Sequence, residues 1–206
     1  MKRTYPSWID GEVNSKQTEY TKPTQLLSKD GKLLAPGWAR HNVFDYQRDN
    51  ARPANRKKEW DFYQISNGEL MVQINFANIS IGGFAQASIT DLKHRQNKHK
   101  FHSGTILECT QLFLGGNKYM LPPKGDEPNV LEHTIGKTYV KFDTKTNSRT
   151  LYFKSKFKGK EVEASFAMDI MDGLENITTV LPFAGMPTRY FMTTKQNCMP
   201  CEGTFR

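Results

Sequence analysis

The chain has 206 residues, of which 24% are charged, and a formal net charge of +8; this length fits one domain or two small ones. The first residues lack the apolar core of a secretory signal, and no apolar run is long enough to span a membrane. An odd number of cysteines, three, in a chain without an export signal predicts reduced thiols and a cytoplasmic location.

Residues 1–20 are polar and lack periodicity, which predicts a flexible N-terminal arm. The remainder, residues 21–206, is expected to form a single β-barrel-like domain. Its first part contains the turn dipeptides Asp30-Gly31 and Pro36-Gly37. Trp38 and Arg40 follow directly, and a Trp in such a polar, irregular segment is expected to plug one end of a core.

The clearest hairpin lies between Trp60 and Phe76, where two runs of strand-forming residues flank Asn67-Gly68. Both central positions of a tight hairpin turn need positive φ, which Asn and Gly tolerate. A two-residue turn at Asn67-Gly68 would pair Tyr63 with Val72 across the strands. The residues that then share the predicted core face are Tyr63, Ile65, Leu70, Val72, Ile74 and Phe76.

The opposite face of this hairpin mixes aromatic side chains with amides. It carries Trp60, Phe62 and Met71 beside several Gln and Asn residues. Such a face could line a ligand cavity, or it could be a half-covered surface.

Asp61 is the one carboxylate on the predicted apolar face. If it is buried, it needs a cation or several hydrogen-bond donors. The alternative is that it lies at the start of the strand, near solvent or paired with an Arg.

A third strand is predicted from about Ile81 to Leu92, with Gly83, Ala85 and Ala87 on one face; such small residues indicate that something approaches closely. Residues 93–102 then form a polar connection with three histidines, and a strand follows at 105–114. Residues 115–137 contain Gly115-Gly116 and Pro122-Pro123 and are predicted to be a long loop.

A second hairpin is specified by Lys158-Gly159. A two-residue turn there pairs Lys156 with Glu161 and Lys154 with Glu163 on the solvent side. More strand-like runs follow at 176–182 and 189–194, and no segment has a helical period. The predicted fold is all-β, an antiparallel meander of about nine or ten strands with little helix, forming a lipocalin-like barrel or sandwich.

The sequence carries no recognised catalytic, cofactor or metal motif. Cys198 and Cys201 form a Cys-x-x-Cys, but no βαβ unit suited to redox chemistry surrounds it and no second pair completes a zinc site. The basic runs at 52–58 and 93–100 are interpreted as solvated loops and not as a nucleic-acid surface. We therefore predict no cofactor and no nucleic-acid partner.

Several motifs, in order, resemble one known family over residues 20–205. They are Thr21-Lys22-Pro23 with Leu26-Leu27; Asp30-Gly31-Lys32-Leu33 through Pro36-Gly37-Trp38-Ala39-Arg40; Lys57-Lys58-Glu59-Trp60-Asp61-Phe62-Tyr63; Ile79-Ser80-Ile81-Gly82-Gly83-Phe84-Ala85 to Asp91-Leu92-Lys93; and Lys195-Gln196-Asn197-Cys198-Met199-Pro200 with Glu202-Gly203. This set resembles the family called domain of unknown function 2804, which has no established catalytic residues.

The resemblance implies a distant similarity to lipocalin-like proteins of the carotenoid-hydratase type, built from two β-barrel-like halves. It also implies that this chain corresponds to the first half only. The face that would meet a second half is then expected to promote a homodimer or aggregation. The alternative is a monomer in which residues 1–20 cover this face.

From these observations we expect binding of an apolar or amphipathic, lipid-like small molecule in a β-barrel cavity. The candidate ligand-binding residues are Trp38, Arg40, Trp60, Phe62, Tyr63, Met71 and Asn197. The alternatives are a hydratase- or isomerase-like enzyme that uses Asp61 as a general acid, and a structural or interaction module without a ligand. Of these, a non-enzymatic role is favoured over catalysis.

Overall fold

The computed structural model describes residues 18–93 and 104–206. These residues form fourteen strands and no α-helix; the helical residues among them are confined to 3₁₀ turns at Arg48–Asn50, Ala54–Arg56 and Gly116–Lys118. The strands are β1 (Thr24–Gln25), β2 (Gly37–Ala39), β3 (Phe44–Asp45), β4 (Glu59–Ser66), β5 (Leu70–Asn78), β6 (Gly82–Asp91), β7 (Thr105–Leu114), β8 (Asn129–Ile135), β9 (Thr138–Thr144), β10 (Ser148–Phe157), β11 (Lys160–Asp169), β12 (Ile177–Phe183), β13 (Met186–Lys195) and β14 (Cys201–Phe205).

The chain divides into two compact units, each made of two chain segments. Unit 1 comprises Met1–Ala54 and Gly173–Cys198, and unit 2 comprises Asn55–Asp172 and Met199–Arg206. The single domain expected over residues 21–206 stays a prediction, and most of the expected arm, residues 1–17, lies outside the described residues.

Unit 1 contains the three-stranded antiparallel sheet β13-β12-β2 and the short parallel pair β1-β3. Its core is small and mostly aliphatic, and Tyr20 packs edge-on against Phe44 with ring centroids 5.3 Å apart. The buried residues of this core are Leu26, Leu27, Ala35, Ala39, Phe44, Ala51 and Val180.

Unit 2 contains two antiparallel sheets, the four-stranded β4-β5-β6-β7 and the five-stranded β14-β11-β10-β9-β8. The inward faces of both sheets contribute to one hydrophobic core. Phe76 from the first sheet and Phe142 and Phe153 from the second are almost completely buried; burial of each such side chain contributes roughly 1.5–3 kcal/mol to stability. The all-β, antiparallel prediction is therefore confirmed, and the described strands form a sandwich and no closed barrel.

The second hairpin has the predicted register: Lys156 pairs with Glu161, Lys154 with Glu163, and Phe153 with Ala164. The first hairpin was predicted two residues out of register, because Tyr63 pairs with Ile74 and Asp61 with Phe76. The turn is shifted because the Asn67 Oδ1 accepts hydrogen bonds from the backbone N–H groups of Glu69 and Leu70.

A shift of two residues preserves the face of every side chain, so the predicted core face is largely correct. Tyr63, Val72, Ile74 and Phe76 are buried. Leu70 was wrongly placed in the core, since it lies beside the turn and is 37% exposed.

Gly83 of β6 lies against an aromatic ring, which is the kind of close approach that the small residues of this strand predicted. A Cβ on Gly83 would collide with the Ala77 carbonyl and come within 2.6 Å of the Phe113 ring. Phe113 in turn stacks on Phe76, with ring centroids 5.7 Å apart. The loop predicted at 115–137 is shorter than expected, because β8 begins at Asn129.

Candidate functional site

The candidate site is a polar cluster on the inward faces of the two sheets of unit 2. Asp61 lies near the start of β4, two residues before the buried Tyr63. Arg149 lies at the start of β10 and pairs with the buried Thr144 of β9. Alternation along the strands therefore brings one carboxyl, one phenol, one hydroxyl and one guanidinium into an otherwise apolar interior.

Asp61 is a partly buried carboxyl that receives no hydrogen bond from the described residues. Burial raises its pKa from 3.8 to about 6, against the lowering effect of the Arg149 charge. The loop between β7 and β8 passes over it, since a Cβ on Gly125 would lie 3.5 Å from the Asp61 Oδ1. The side chain is thus shielded from solvent without being neutralised by a close ion pair.

Arg149 is held by only one of its nitrogens. Its Nη1 donates to the Tyr63 hydroxyl at 3.4 Å, while its buried Nε has no acceptor among the described residues. Buried donors in proteins are nearly always paired, and an orphan donor costs about 1–3 kcal/mol. A bound group with an acceptor oxygen would satisfy it.

Tyr63 completes the cluster. Burial, followed by the nearby Asp61 charge, raises its pKa from 10.0 to about 12, although Arg149 and Thr144 act in the opposite direction. Its ring packs edge-on against Phe142, with centroids 5.2 Å apart. The hydroxyl is therefore neutral at physiological pH and is fixed in position by the core.

An open groove of about 500 Å³ lies on the same unit, between the segment Met120–Pro123 and the strand segment Val130–His133. His133 stands at its edge, with Nε2 2.9 Å from the Met120 carbonyl oxygen. The His133 ring also stacks on Phe76 at 5.1 Å, and Phe76 is the cross-strand partner of Asp61. Phe76 therefore contacts the groove residue His133 and pairs with Asp61 of the polar cluster.

Trp60 and Phe62 lie on the outward face of β4, where they are 45% and 48% exposed. Met71 lies on the same face of β5 and is partly buried. Of the two alternatives left open by the sequence, these exposures fit the half-covered surface.

The other sequence candidates lie in unit 1. Trp38 pairs with Thr179 and is partly exposed. The Arg40 guanidinium lies 5.6 Å from the Trp38 ring centroid and forms ion pairs with Glu19 and Glu175. Asn197 is exposed. Trp38 and Arg40 are thus part of one contact, while Asn197 is not brought to it by any described interaction.

Sequence reasoning selected Asp61 and Tyr63, considered His133 only as a potential metal donor on a loop, and missed Arg149. Arg149 stands 88 residues beyond Asp61 (149 − 61) in a run of ordinary polar residues, so no local pattern marks it. The position of His133 on a strand was not predicted, because the residues of β8 were assigned to a loop. The alternation of Leu131, His133 and Ile135 was the signal that could have revealed it.

Cys109, Cys198 and Cys201 are all free thiols. Within residues 18–93 and 104–206, no three His, Cys, Asp or Glu side chains are close enough to hold a metal ion. His94, His99 and His102, which the sequence placed on a polar connection, lie outside the described residues.

Comparison with known families matches residues 17–206 to the model of the domain of unknown function DUF2804. The chain belongs to the DUF2804 family. No curated protein and no solved structure matches it. The DUF2804 assignment confirms the family inferred from the motifs. No helix in the described residues is long and apolar enough to cross a membrane.

Proposed function

We propose that unit 2 binds an apolar or amphipathic, lipid-like small molecule, with the polar end of the ligand at Asp61, Tyr63 and Arg149. The observation that carries the proposal concerns Asp61 and Arg149: among residues 18–93 and 104–206, none donates a hydrogen bond to Asp61 and none accepts one from the Arg149 Nε. Ligand sites are typically apolar with a few converging polar groups, which is the composition around this pair.

The chemistry of the pair selects the ligand head group. Arg149 offers a donor, while Asp61 accepts a hydrogen bond when ionised and donates one when protonated. A hydroxyl or a protonated carboxyl contains both a donor and an acceptor and would satisfy both side chains. The groove between Met120–Pro123 and Val130–His133 is lined in part by apolar side chains and would take the hydrocarbon part.

The test is a binding titration of the full chain with dodecanol, monolaurin and lauric acid, followed by displacement of a fluorescent fatty acid. We expect Asp61→Asn and Arg149→Gln to weaken binding about tenfold or more, the size of one buried charged hydrogen bond. Lys154→Gln, on the solvent face of the same strand β10, is the matched control and should bind normally. Absence of binding by the unaltered chain would overturn the proposal, and normal binding by both variants would show that the ligand does not use Asp61 and Arg149.

A second candidate function is a hydratase- or isomerase-like activity on an apolar substrate. It is favoured by one observation, the Asp61 pKa of about 6, because a general acid works best when its pKa is near the working pH. Incubation with an unsaturated fatty acid in ¹⁸O-labelled water, followed by mass spectrometry, would detect hydration. The enzyme hypothesis requires measurable turnover, and it requires that Asp61→Asn abolish this turnover.

A further inference from the structure

The outward face of the sheet β4-β5-β6-β7 has an ordered chemical pattern that the polar cluster does not use. One row across the strands is apolar and consists of Trp60, Ala77, Phe84 and Leu112, which are cross-strand partners. The next row is Phe62, Asn75, Gln86 and Thr110, and the third is Gln64, Gln73, Ser88 and Glu108. The face thus changes across its rows from aromatic to amide and hydroxyl.

The amides of this face are oriented by their neighbours. The Gln86 Nε2 donates to the Thr110 Oγ1 at 3.2 Å, and the Gln73 Nε2 donates to the Gln64 Oε1 at 3.2 Å. Asn75, between Phe62 and Gln86, has a side-chain oxygen that is buried and has no partner among the described residues. The Gln86 and Gln73 amides are therefore fixed by their neighbours, while the buried Asn75 oxygen is not directly accessible to a ligand.

We propose that this face binds a neutral oligosaccharide. A sugar ring has one face of C–H groups, which packs on aromatic rings such as those of Trp60 and Phe62, and an edge of hydroxyls, which pairs with amides. Trp60 and Phe62 are two residues apart on one strand, which separates their side chains by roughly 6.8 Å. Successive rings of a glycan chain could lie over them, with hydroxyls directed toward Gln86 and the exposed Thr110 of the second row.

Charge and composition disfavour other occupants. The three rows contain no Lys or Arg and a single acid, Glu108, whereas nucleic-acid surfaces need cations for the phosphates. A lipid surface would leave the amide rows dehydrated without partners, which costs free energy. A neutral, hydroxyl-rich ligand meets neither obstacle.

The test is a nuclear magnetic resonance titration of the ¹⁵N-labelled full chain with cellohexaose, laminarihexaose, xylohexaose and mannohexaose at millimolar concentrations. We expect at least one glycan to shift the side-chain amide signals of Asn75 and Gln86. Phe62→Ala should weaken that binding about tenfold, the size of an aromatic contact with its buried area. Phe183→Ala removes a similarly exposed ring, 54% exposed on β12, and should bind normally.

Gln86→Ala provides a second variant on the amide row, should Phe62→Ala not fold. Asp61→Asn should bind the glycan normally, which separates this face from the proposed lipid site. The proposal is overturned if no glycan shifts the amide signals, or if Phe62→Ala and Gln86→Ala bind as tightly as the unaltered chain. It is also overturned if phosphatidylcholine vesicles, and no glycan, produce the shifts.

Discussion

At the scale of single residues, the most informative group is Asp61, a carboxyl held in an apolar interior with only a nearby cation to offset its burial. Asp61 was recognisable in the sequence because it breaks the apolar face of β4. The environment of Asp61 could not be recognised in the sequence, because the compensating Arg149 comes from another sheet. The result is a side chain whose protonation is linked to folding.

This linkage predicts a specific pH dependence. The folded-state pKa of Asp61, about 6, exceeds its ordinary value of 3.8, so the folded state holds this proton more tightly than the unfolded chain. The Asp61 contribution to the free energy of unfolding is therefore most favourable below about pH 4 and falls as the pH rises to about 6. A pKa shift of two units corresponds to about 3 kcal/mol. Because Asp61 is partly exposed, we expect its contribution to the free energy of unfolding to be about 1–2 kcal/mol.

Asp61→Asn removes the titrating group and should increase the free energy of unfolding at about pH 7.5 by that amount, with little change at about pH 4. Urea denaturation at both pH values measures the difference. The exposed Asp169→Asn, on β11, is the control and should change stability little at either pH. An Asp61→Asn protein that is less stable than the unaltered chain at the higher pH would contradict the assignment.

The three cysteines provide a second residue-scale prediction. Cys198 is exposed, Cys201 is partly buried, and Cys109 is buried. Burial, with a smaller effect of Glu202, also raises the pKa of the Cys201 thiol. Because the thiolate is the reactive form, Ellman's reagent should label Cys198 rapidly, Cys201 slowly and Cys109 only after denaturation. Cys198→Ser should remove the fast phase, and labelling of Cys109 in the native protein would contradict its burial.

At the scale of elements, hairpins with Gly at the turn could be predicted and irregular connections could not. The β10-β11 register was predicted correctly, because Lys158-Gly159 and the facing charges agree on one pairing. The β4-β5 register was predicted incorrectly, because the Asn67 side chain accepts hydrogen bonds within the turn and shifts the position of the turn. β8 was missed because Pro122, Pro123 and Pro128 lead directly into it, and β1 to β3 are too short to show a period.

One buried amide secures the connection that follows β7. The Asn78 Nδ2 donates to the carbonyl oxygens of Gly116 and Tyr119 at 2.7 and 2.8 Å, and its Oδ1 accepts from the Ser80 N–H at 2.8 Å. Asn78 is only 4% exposed, so water cannot replace these bonds without rearrangement.

Asn78→Ala should therefore lower the free energy of unfolding by about 2–4 kcal/mol, because it leaves buried backbone groups unpaired. Asn117→Ala, at an exposed position in the same 3₁₀ turn, should cost less than about 0.5 kcal/mol. Chemical denaturation of both variants compares them. Equal stability of the two would show that Asn78 does not secure this connection.

At the scale of the whole molecule, each unit is assembled from two distant parts of the chain. The last strand, β14, pairs with β11 after the chain has passed through β12 and β13 of unit 1. Unit 2 is thus completed only when the C-terminal residues return to its five-stranded sheet. Neither hairpin signal in the sequence could indicate this pairing, because it joins residues far apart in the chain.

The dependence of unit 2 on β14 can be tested at Gly203. Gly203 faces Phe166 across the strands, and a Cβ at this position would collide with the Ser165 carbonyl and the Phe166 ring. Gly203→Val should displace β14, cost about 2 kcal/mol or more, and uncover the edge of β11. A bare strand edge is a template for pairing with other chains, so this variant should also self-associate.

The control is Thr204→Lys, at an exposed position on the same strand. It keeps the β11-β14 pairing and adds a charge to the edge, so the stability and molecular mass of this variant should be unchanged. Light scattering and urea denaturation measure both effects; a stable Gly203→Val protein with an unchanged molecular mass would show that unit 2 does not require its last strand.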